Sequence, residues 1–173
     1  MKVNNFPELG SVIVFKNAFG NYKVWICISV RSGAKAPYFY FMCLDFEGRD
    51  IPSLASIQGC NFYGSGNMLN PVDPWSECSL EQVWTIHPEV KPCHVGAYGL
   101  MVTRKDWKAM EAKFQFIGQL KLFPNLALHG NGSMLVSTFD FVQQFFDGSE
   151  NQVFRERGQK QFKVAAVVNA SNV

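Results

Sequence analysis

The sequence predicts a single α+β domain over residues 1–173, in which a mainly antiparallel, twisted sheet begins with a β-meander and is packed by two amphipathic helices. Near the start of the chain, three segments rich in β-branched and aromatic residues follow one another, separated by turn-forming stretches. Later segments, at 103–117 and 138–147, carry apolar residues at helical spacing. The chain is 47% hydrophobic, which is enough for the core of one domain of this length.

The first three predicted strands form the meander and are apolar on both faces. They cover residues 12–16, 22–30 and 37–46. In the second strand, Ile28 and Val30 alternate onto one face, while Trp25 and Cys27 lie on the other. Strands of this kind must be covered twice, so we expect helices on one side of the sheet and another sheet layer or a partner on the other.

A long segment at 52–81 interrupts the predicted strands with glycine, proline and asparagine residues and shows little periodicity. Loops of this length inside a compact domain tend to be functional or mobile, so we expect a partner-binding surface here. Its candidate contact residues are Phe62, Tyr63, Met68 and Trp75. The alternative interpretation is an irregular surface excursion that its aromatic residues pin to the domain.

The first predicted helix runs over 103–117. Thr103 followed by Asp106 is typical of a capping box, and Gly118 ends the pattern. The apolar residues at helical spacing are Trp107, Met110, Phe114 and Ile117. Shorter strand candidates flank it at 82–86, 97–102, 119–123 and 133–136.

The second predicted helix, 138–147, places five apolar residues on one broad arc and ends at Gly148. These residues are Phe139, Phe141, Val142, Phe145 and Phe146. We interpret that arc as the lid of the sheet; the alternative is a helix that docks into a groove on another protein. The end of the chain, 153–157 and 162–168, predicts a hairpin around Gly158.

Charge and cysteine content limit the cellular setting. The formal net charge of +2 is small, and the polar N-terminus lacks the apolar stretch of a signal peptide. The five cysteines are an odd number at wide spacing, which differs from the dense paired framework of small secreted domains. We therefore expect a cytoplasmic protein with reduced thiols and without a membrane span or cofactor.

The cysteine and histidine residues offer two kinds of chemistry. Cys78 and the stretch beginning at His94 resemble the Cys and His motifs of papain-like cysteine peptidases, which would imply a cysteine hydrolase. The glycine that should follow Ser79 is absent. A zinc site would draw on Cys78, His87, Cys93 and His94, but the spacing contains no Cys-x-x-Cys pair, so we predict neither a metal site nor a catalytic residue.

Nucleic-acid binding is the other alternative. The predicted C-terminal hairpin carries basic residues near phenylalanines, a mixture suited to phosphate contacts and base stacking; the basic residues are Arg155, Arg157, Lys160 and Lys163. In addition, residues 9–15 and 22–30 are similar to the first strands of the SH3-like barrels of the PemK and MazF toxins. That resemblance implies a small barrel that binds or cleaves RNA.

The leading hypothesis is a non-enzymatic protein-interaction module, for example an inhibitor or an accessory factor. It depends on 16 Phe, 5 Tyr and 4 Trp residues, more aromatic groups than a core of this size needs. Protein interfaces favour aromatic residues and methionine. A symmetric homodimer is a further way to cover such a surplus.

Overall fold

The computed structural model describes residues 6–31, 38–61, 85–86, 88, 98–122, 132–147 and 163–168. Its strands are β1 (Ser11–Lys16), β2 (Tyr22–Arg31), β3 (Tyr38–Cys43), β4 (Tyr98–Thr103), β5 (Gln115–Gln119) and β6 (Gly132–Val136). Its α-helices are α1 (Leu54–Gln58), α2 (Arg104–Met110) and α3 (Phe139–Asp147). Two 3₁₀ turns, Glu111–Lys113 and Val164–Val167, complete the described elements. None of the helices in these ranges is long and apolar enough to cross a membrane.

The six strands form one sheet in the order β5-β1-β2-β3-β4-β6. Strands β1 to β4 pair antiparallel with their sequence neighbours, as does β5 with the outer edge of β1. Only the pair β4 and β6 is parallel among the described strands. The predicted α+β class and the opening meander are therefore confirmed.

One face of the sheet is an aromatic core under helices α2 and α3. Its buried members are Ile13, Phe15, Trp25, Cys27, Phe39, Phe41, Cys43, Leu100, Val102, Trp107, Met110, Val136 and Val142. Trp107 of α2 lies 5.6 Å from Phe41, measured between ring centroids, and the two rings are stacked. Val142 of α3 is fully buried in the same cluster. The predicted helical cover of one face is thus present.

The opposite face is an aliphatic core, for which we expected cover by another sheet layer or a partner. Its buried members are Val12, Val14, Val24, Ile26, Ile28, Met42, Leu44, Ile57, Leu120, Leu122, Val164, Ala166 and Val167. Helix α1, the chain after β5 and the 3₁₀ turn Val164–Val167 each contribute to it. In the described part of the chain, several short segments therefore pack on this face.

Strand β2 departs from simple alternation near its end. A register shift between Cys27 and Ser29 places Ser29 opposite Tyr40 and Val30 opposite Phe39. Such a bulge adds one residue to one strand and reverses the faces beyond it. Val30 is 37% exposed and is not part of the aliphatic core with Ile28, contrary to the predicted pattern.

The helix predicted over 103–117 is wrong in its second half, because residues 115–119 form strand β5. A single helix face would bring Phe114 and Ile117 to the same side. Instead, Phe114 stacks on Trp107 at 4.9 Å in the aromatic core, and Ile117 packs against the aliphatic core. The free edge of β1 supplies backbone partners for 115–119, and tertiary pairing overrides the local pattern.

Three other segments differ from the predicted elements. The predicted strand at 162–168 is a 3₁₀ turn over Val164–Val167, and the opposite strand at 153–157 lies outside the described residues. Thr85 and Ile86 are helical rather than extended. The predicted loop at 52–81 begins with helix α1, capped by the Ser53 hydroxyl, and its residues from 62 onward lie outside the described part.

A close backbone contact joins the start of β1 to the chain after β5. The Gly10 N–H donates to the Cys27 carbonyl at 2.7 Å, and the Leu120 N–H donates to the Gly10 carbonyl at 2.9 Å. Gly10 has a φ of +83°, and a Cβ built there would lie 1.8 Å from the Leu120 carbonyl oxygen. Only glycine fits this position.

Candidate functional site

The hairpin tip, residues 17–21 between β1 and β2, carries the most exposed large apolar side chain of the described residues. Phe19 is 77% exposed there, whereas Phe15, two residues before the turn, is buried. Most described aromatic side chains are buried in the two cores or packed against them. Phe19 and, to a smaller extent, Phe116 on β5 are exposed, and the hairpin tip with Phe19 is the first candidate site.

Asn17 fixes the shape of the hairpin tip. Its side chain is buried, and its Oδ1 accepts from the N–H of Phe19 at 3.1 Å and from the N–H of Asn21 at 2.9 Å. The Asn17 N–H donates to the Asn21 carbonyl at 2.9 Å, and the Gly20 N–H donates to the Asn17 carbonyl at 3.1 Å. Four hydrogen bonds inside five residues hold the backbone that presents Phe19.

A partly buried ion pair ties the hairpin tip to the loop after β3. Lys23 Nζ lies 2.7 Å from Glu47 Oε2, and the Lys23 side chain is only 3% exposed. The other oxygen of Glu47 accepts from Asn21 Nδ2 at 2.7 Å. The carboxylate therefore anchors both the hairpin tip and the strand that follows it, and Phe19 is presented from a constrained turn.

A second candidate site is the cationic surface, which we define as Arg104, Lys105, Lys108 and Lys113. All four side chains are exposed, and they lie on α2 and on the 3₁₀ turn after it. The Arg104 guanidinium carbon lies 4.2 Å from the centroid of the Phe6 ring, and Lys108 Nζ lies 5.4 Å from the same centroid. These distances are typical of cation–π contacts.

The ring beneath these cations is itself fixed. Phe6 stacks on Phe39 of the aromatic core with 5.9 Å between centroids and 20° between planes. The order from the core outward is therefore Phe39, Phe6 and then the Arg104 guanidinium. The cation–π contact with Phe6 uses none of the N–H groups of Arg104, so they stay able to donate to an anion.

Packed side chains connect the cationic surface to the base of the hairpin. Lys113 Nζ lies 6.0 Å from the centroid of Phe139, whose ring lies 6.0 Å from that of Phe15 at the end of β1. From the same helix α3, Gln143 Nε2 donates to the Lys16 carbonyl at 3.2 Å. These contacts thus connect the cationic surface to the end of β1, from which the hairpin tip projects.

The described cysteines do not have the environment of activated nucleophiles. Burial raises the pKa of Cys27 to about 12, and burial likewise holds the pKa of Cys43 well above its ordinary value. Partial burial and the nearby Asp45 carboxylate raise the pKa of Cys60. A thiol enzyme needs a lowered pKa instead. In the described ranges, no three His, Cys, Asp or Glu side chains are grouped to hold a metal ion.

Most of the residues that the sequence singled out lie outside the described residues. They are Phe62, Tyr63, Met68, Trp75, Cys78, His87, Cys93, His94, Arg155, Arg157 and Lys160. Lys163 is described: it is exposed, and it forms an antiparallel bridge with Asn61. The structure therefore brings Lys163 next to the end of α1, and the other predicted contacts stay predictions.

The sequence reasoning missed both candidate sites. A signal for the first was present, since Asn17, Gly20 and Asn21 are turn residues between two strong strands and enclose one bulky aromatic residue. For the second, Arg104 and Lys108 are one helical turn apart, but no pattern shows that an N-terminal Phe6 lies beneath them.

No known protein family, curated protein or solved structure matches this chain. The class that the fold defines is an α+β domain with a six-stranded mixed sheet. The hairpin tip and the cationic surface are the described features from which a function can be argued.

Proposed function

We propose that this chain is a non-enzymatic protein-interaction module that engages a protein partner through the hairpin tip. One observation carries the proposal: Phe19 is 77% exposed on a turn whose backbone is fixed by Asn17. A single aromatic anchor that enters a pocket of the partner commonly supplies a large share of the binding free energy of an interface.

The rigidity of the turn is the reason to expect function from this side chain. An anchor that is already held in place loses little conformational entropy on binding. The buried Asn17 and the Lys23–Glu47 ion pair supply that order before any partner arrives. Phe19 contributes little to the fold because most of its surface is in water, so its presence is better explained by a contact outside this chain.

The aromatic segment predicted from sequence fits the same proposal as a second contact region. Its residues Phe62, Tyr63, Met68 and Trp75 would widen an interface that begins at Phe19. An inhibitor or an accessory factor would use both regions to cover a surface of its partner. The cysteine-hydrolase alternative rests on residues outside the described part. Of the residues behind the nucleic-acid alternative, the described ones are Lys163 and the segments 9–15 and 22–30.

Site-specific photo-crosslinking tests the proposal. p-Benzoylphenylalanine replaces Phe19 in one version of the chain and Leu135 in the control version, and both are irradiated in the cells that produce the protein. Leu135 is also an exposed apolar residue, at 55%, but it lies on the edge strand β6, which β3 and β4 separate from the β1–β2 hairpin. We expect a discrete heterologous adduct from position 19 and none of that mass from position 135.

The variant Phe19→Ala completes the test. It should reduce recovery of the same partner at least about tenfold. Its unfolding free energy should stay within about 0.5 kcal/mol of the parent, because the side chain is mostly exposed. Equal adducts from both positions, or an adduct with the mass of two copies of this chain, would contradict the proposal.

A further inference from the structure

The cationic surface has charges that the described part of the chain does not neutralise. Within the described ranges, the one ion pair is Lys23 with Glu47, and none of the four cations takes part in one. Of the nearby carboxylates, Asp106 accepts a hydrogen bond from the Thr103 hydroxyl, and Glu111 is exposed. The positive charge of this surface is therefore open to an external anion.

Two of the four cations lie where positive charge does not stabilise the helix. Arg104 and Lys105 occupy the first turn of α2, where the helix dipole disfavours positive charge, and Asp106 is the acidic residue of that turn. Side chains placed against a local stability rule often mark a functional surface. The cation–π contact with Phe6 holds Arg104 at this otherwise unfavourable position.

We infer that the cationic surface binds a carboxylate-rich segment of the partner that the hairpin tip engages. This inference rests on the proposed function and adds the chemistry of the partner. Phe6 holds the Arg104 guanidinium through a cation–π contact that leaves its N–H groups for a carboxylate, and Lys105, Lys108 and Lys113 supply further positive charges along α2 and the 3₁₀ turn after it. Lys113 contacts Phe139, and Phe139 contacts the buried Phe15 at the base of the hairpin, so the two sites lie close enough for one partner to contact both.

Carboxylates are favoured over phosphates of nucleic acid by the overall charge. Domains that bind nucleic acid usually carry a strong excess of basic residues, whereas this chain has 16 Lys and Arg residues against 14 Asp and Glu residues. Four cations on a short helical segment suit a local acidic peptide, for which steering and register need only a few complementary charges.

The test measures binding of a fluorescein-labelled peptide of alternating glutamate and glycine to the full chain by fluorescence anisotropy at low salt. The variant is Lys105→Glu with Lys108→Glu. The matched control is Arg49→Glu with Lys163→Glu, which changes the net charge equally at two exposed residues outside α2. A labelled oligothymidylate provides the phosphate probe.

We expect the α2 variant to bind the acidic peptide at least about tenfold more weakly than the parent, and the control to stay within about twofold. Equal weakening in both variants, no binding by the parent, or tighter α2-dependent binding of the oligothymidylate would overturn the inference. Phe19→Ala should bind this peptide like the parent, since the peptide has no apolar anchor. The two proposals can therefore fail independently, because photo-crosslinking tests the hairpin tip and peptide binding tests the cationic surface.

Discussion

Replacing Gly10 by alanine tests the contact that joins β1 to the chain after β5. A Cβ at this position would lie 1.8 Å from the Leu120 carbonyl oxygen, and such contacts essentially never fall below 3.0 Å. The two segments must therefore separate by roughly 1.2 Å. That movement weakens the hydrogen bonds from Gly10 N–H to Cys27 and from Leu120 N–H to Gly10, at 2.7 and 2.9 Å.

The expected cost has two parts. A non-glycine residue at positive φ costs about 1 kcal/mol. Disturbing two backbone hydrogen bonds adds about 1–1.5 kcal/mol each. Gly10→Ala should therefore lower the free energy of unfolding by about 3–4 kcal/mol.

Gly20 provides the matched control, because its φ is +80° but a Cβ there meets nothing within 4 Å. Gly20→Ala should thus show the backbone cost alone, about 1 kcal/mol. For a domain of this length, the difference corresponds to a melting temperature about 6–9 °C lower for Gly10→Ala. Urea unfolding and calorimetry of the two variants measure it. Equal destabilisation of both would refute the argument that the close contact with Leu120 makes glycine necessary.

Two further predictions concern buried groups. Glu47→Gln should lower the free energy of unfolding, measured in urea, by about 1–2 kcal/mol. This is less than for a fully buried pair because Glu47 is 45% exposed. Adding Lys23→Met should restore much of the lost stability, and Glu8→Gln is the neutral control. Because burial raises the pKa of Cys27 from 9.0 to about 12, this thiol ionises at a lower pH in the unfolded chain than in the folded one. The free energy of unfolding therefore falls as the pH rises from 9.0 to about 12. Cys27→Ala should reduce this slope by about 1.4 kcal/mol per pH unit, and an unchanged slope in urea unfolding above pH 9 would contradict it.

Local patterns predicted the parts of the fold that form between sequence neighbours. The meander was readable because β1, β2 and β3 are consecutive and each has strong strand composition. The end of α2 could not be predicted in this way, because the spacing of Phe114 and Ile117 fits both a helix and a strand that contributes to two cores. Only the edge of β1, about a hundred residues away in the chain, decides between them.

The candidate sites were harder to predict than the fold for a related reason. A count of aromatic residues cannot say which of them the core takes, and most of those described are buried in the two cores or packed against them. Phe19 stands out only when the packing of Phe15 and Trp25 is known. The stacking of Phe6 under Arg104 joins residues about a hundred positions apart, which no local pattern reports.

The sheet order has a consequence for how the chain acquires its structure. The Gln119 side chain donates to the Leu9 carbonyl, 110 residues earlier, so β5 can pair with β1 only after most of the chain has been synthesised. Until then, the meander exposes the outer backbone edge of β1 and an uncovered aromatic face. An unpaired edge beside apolar rings is prone to associate with other chains. Newly made protein should therefore depend on chaperones more than the native sheet would suggest.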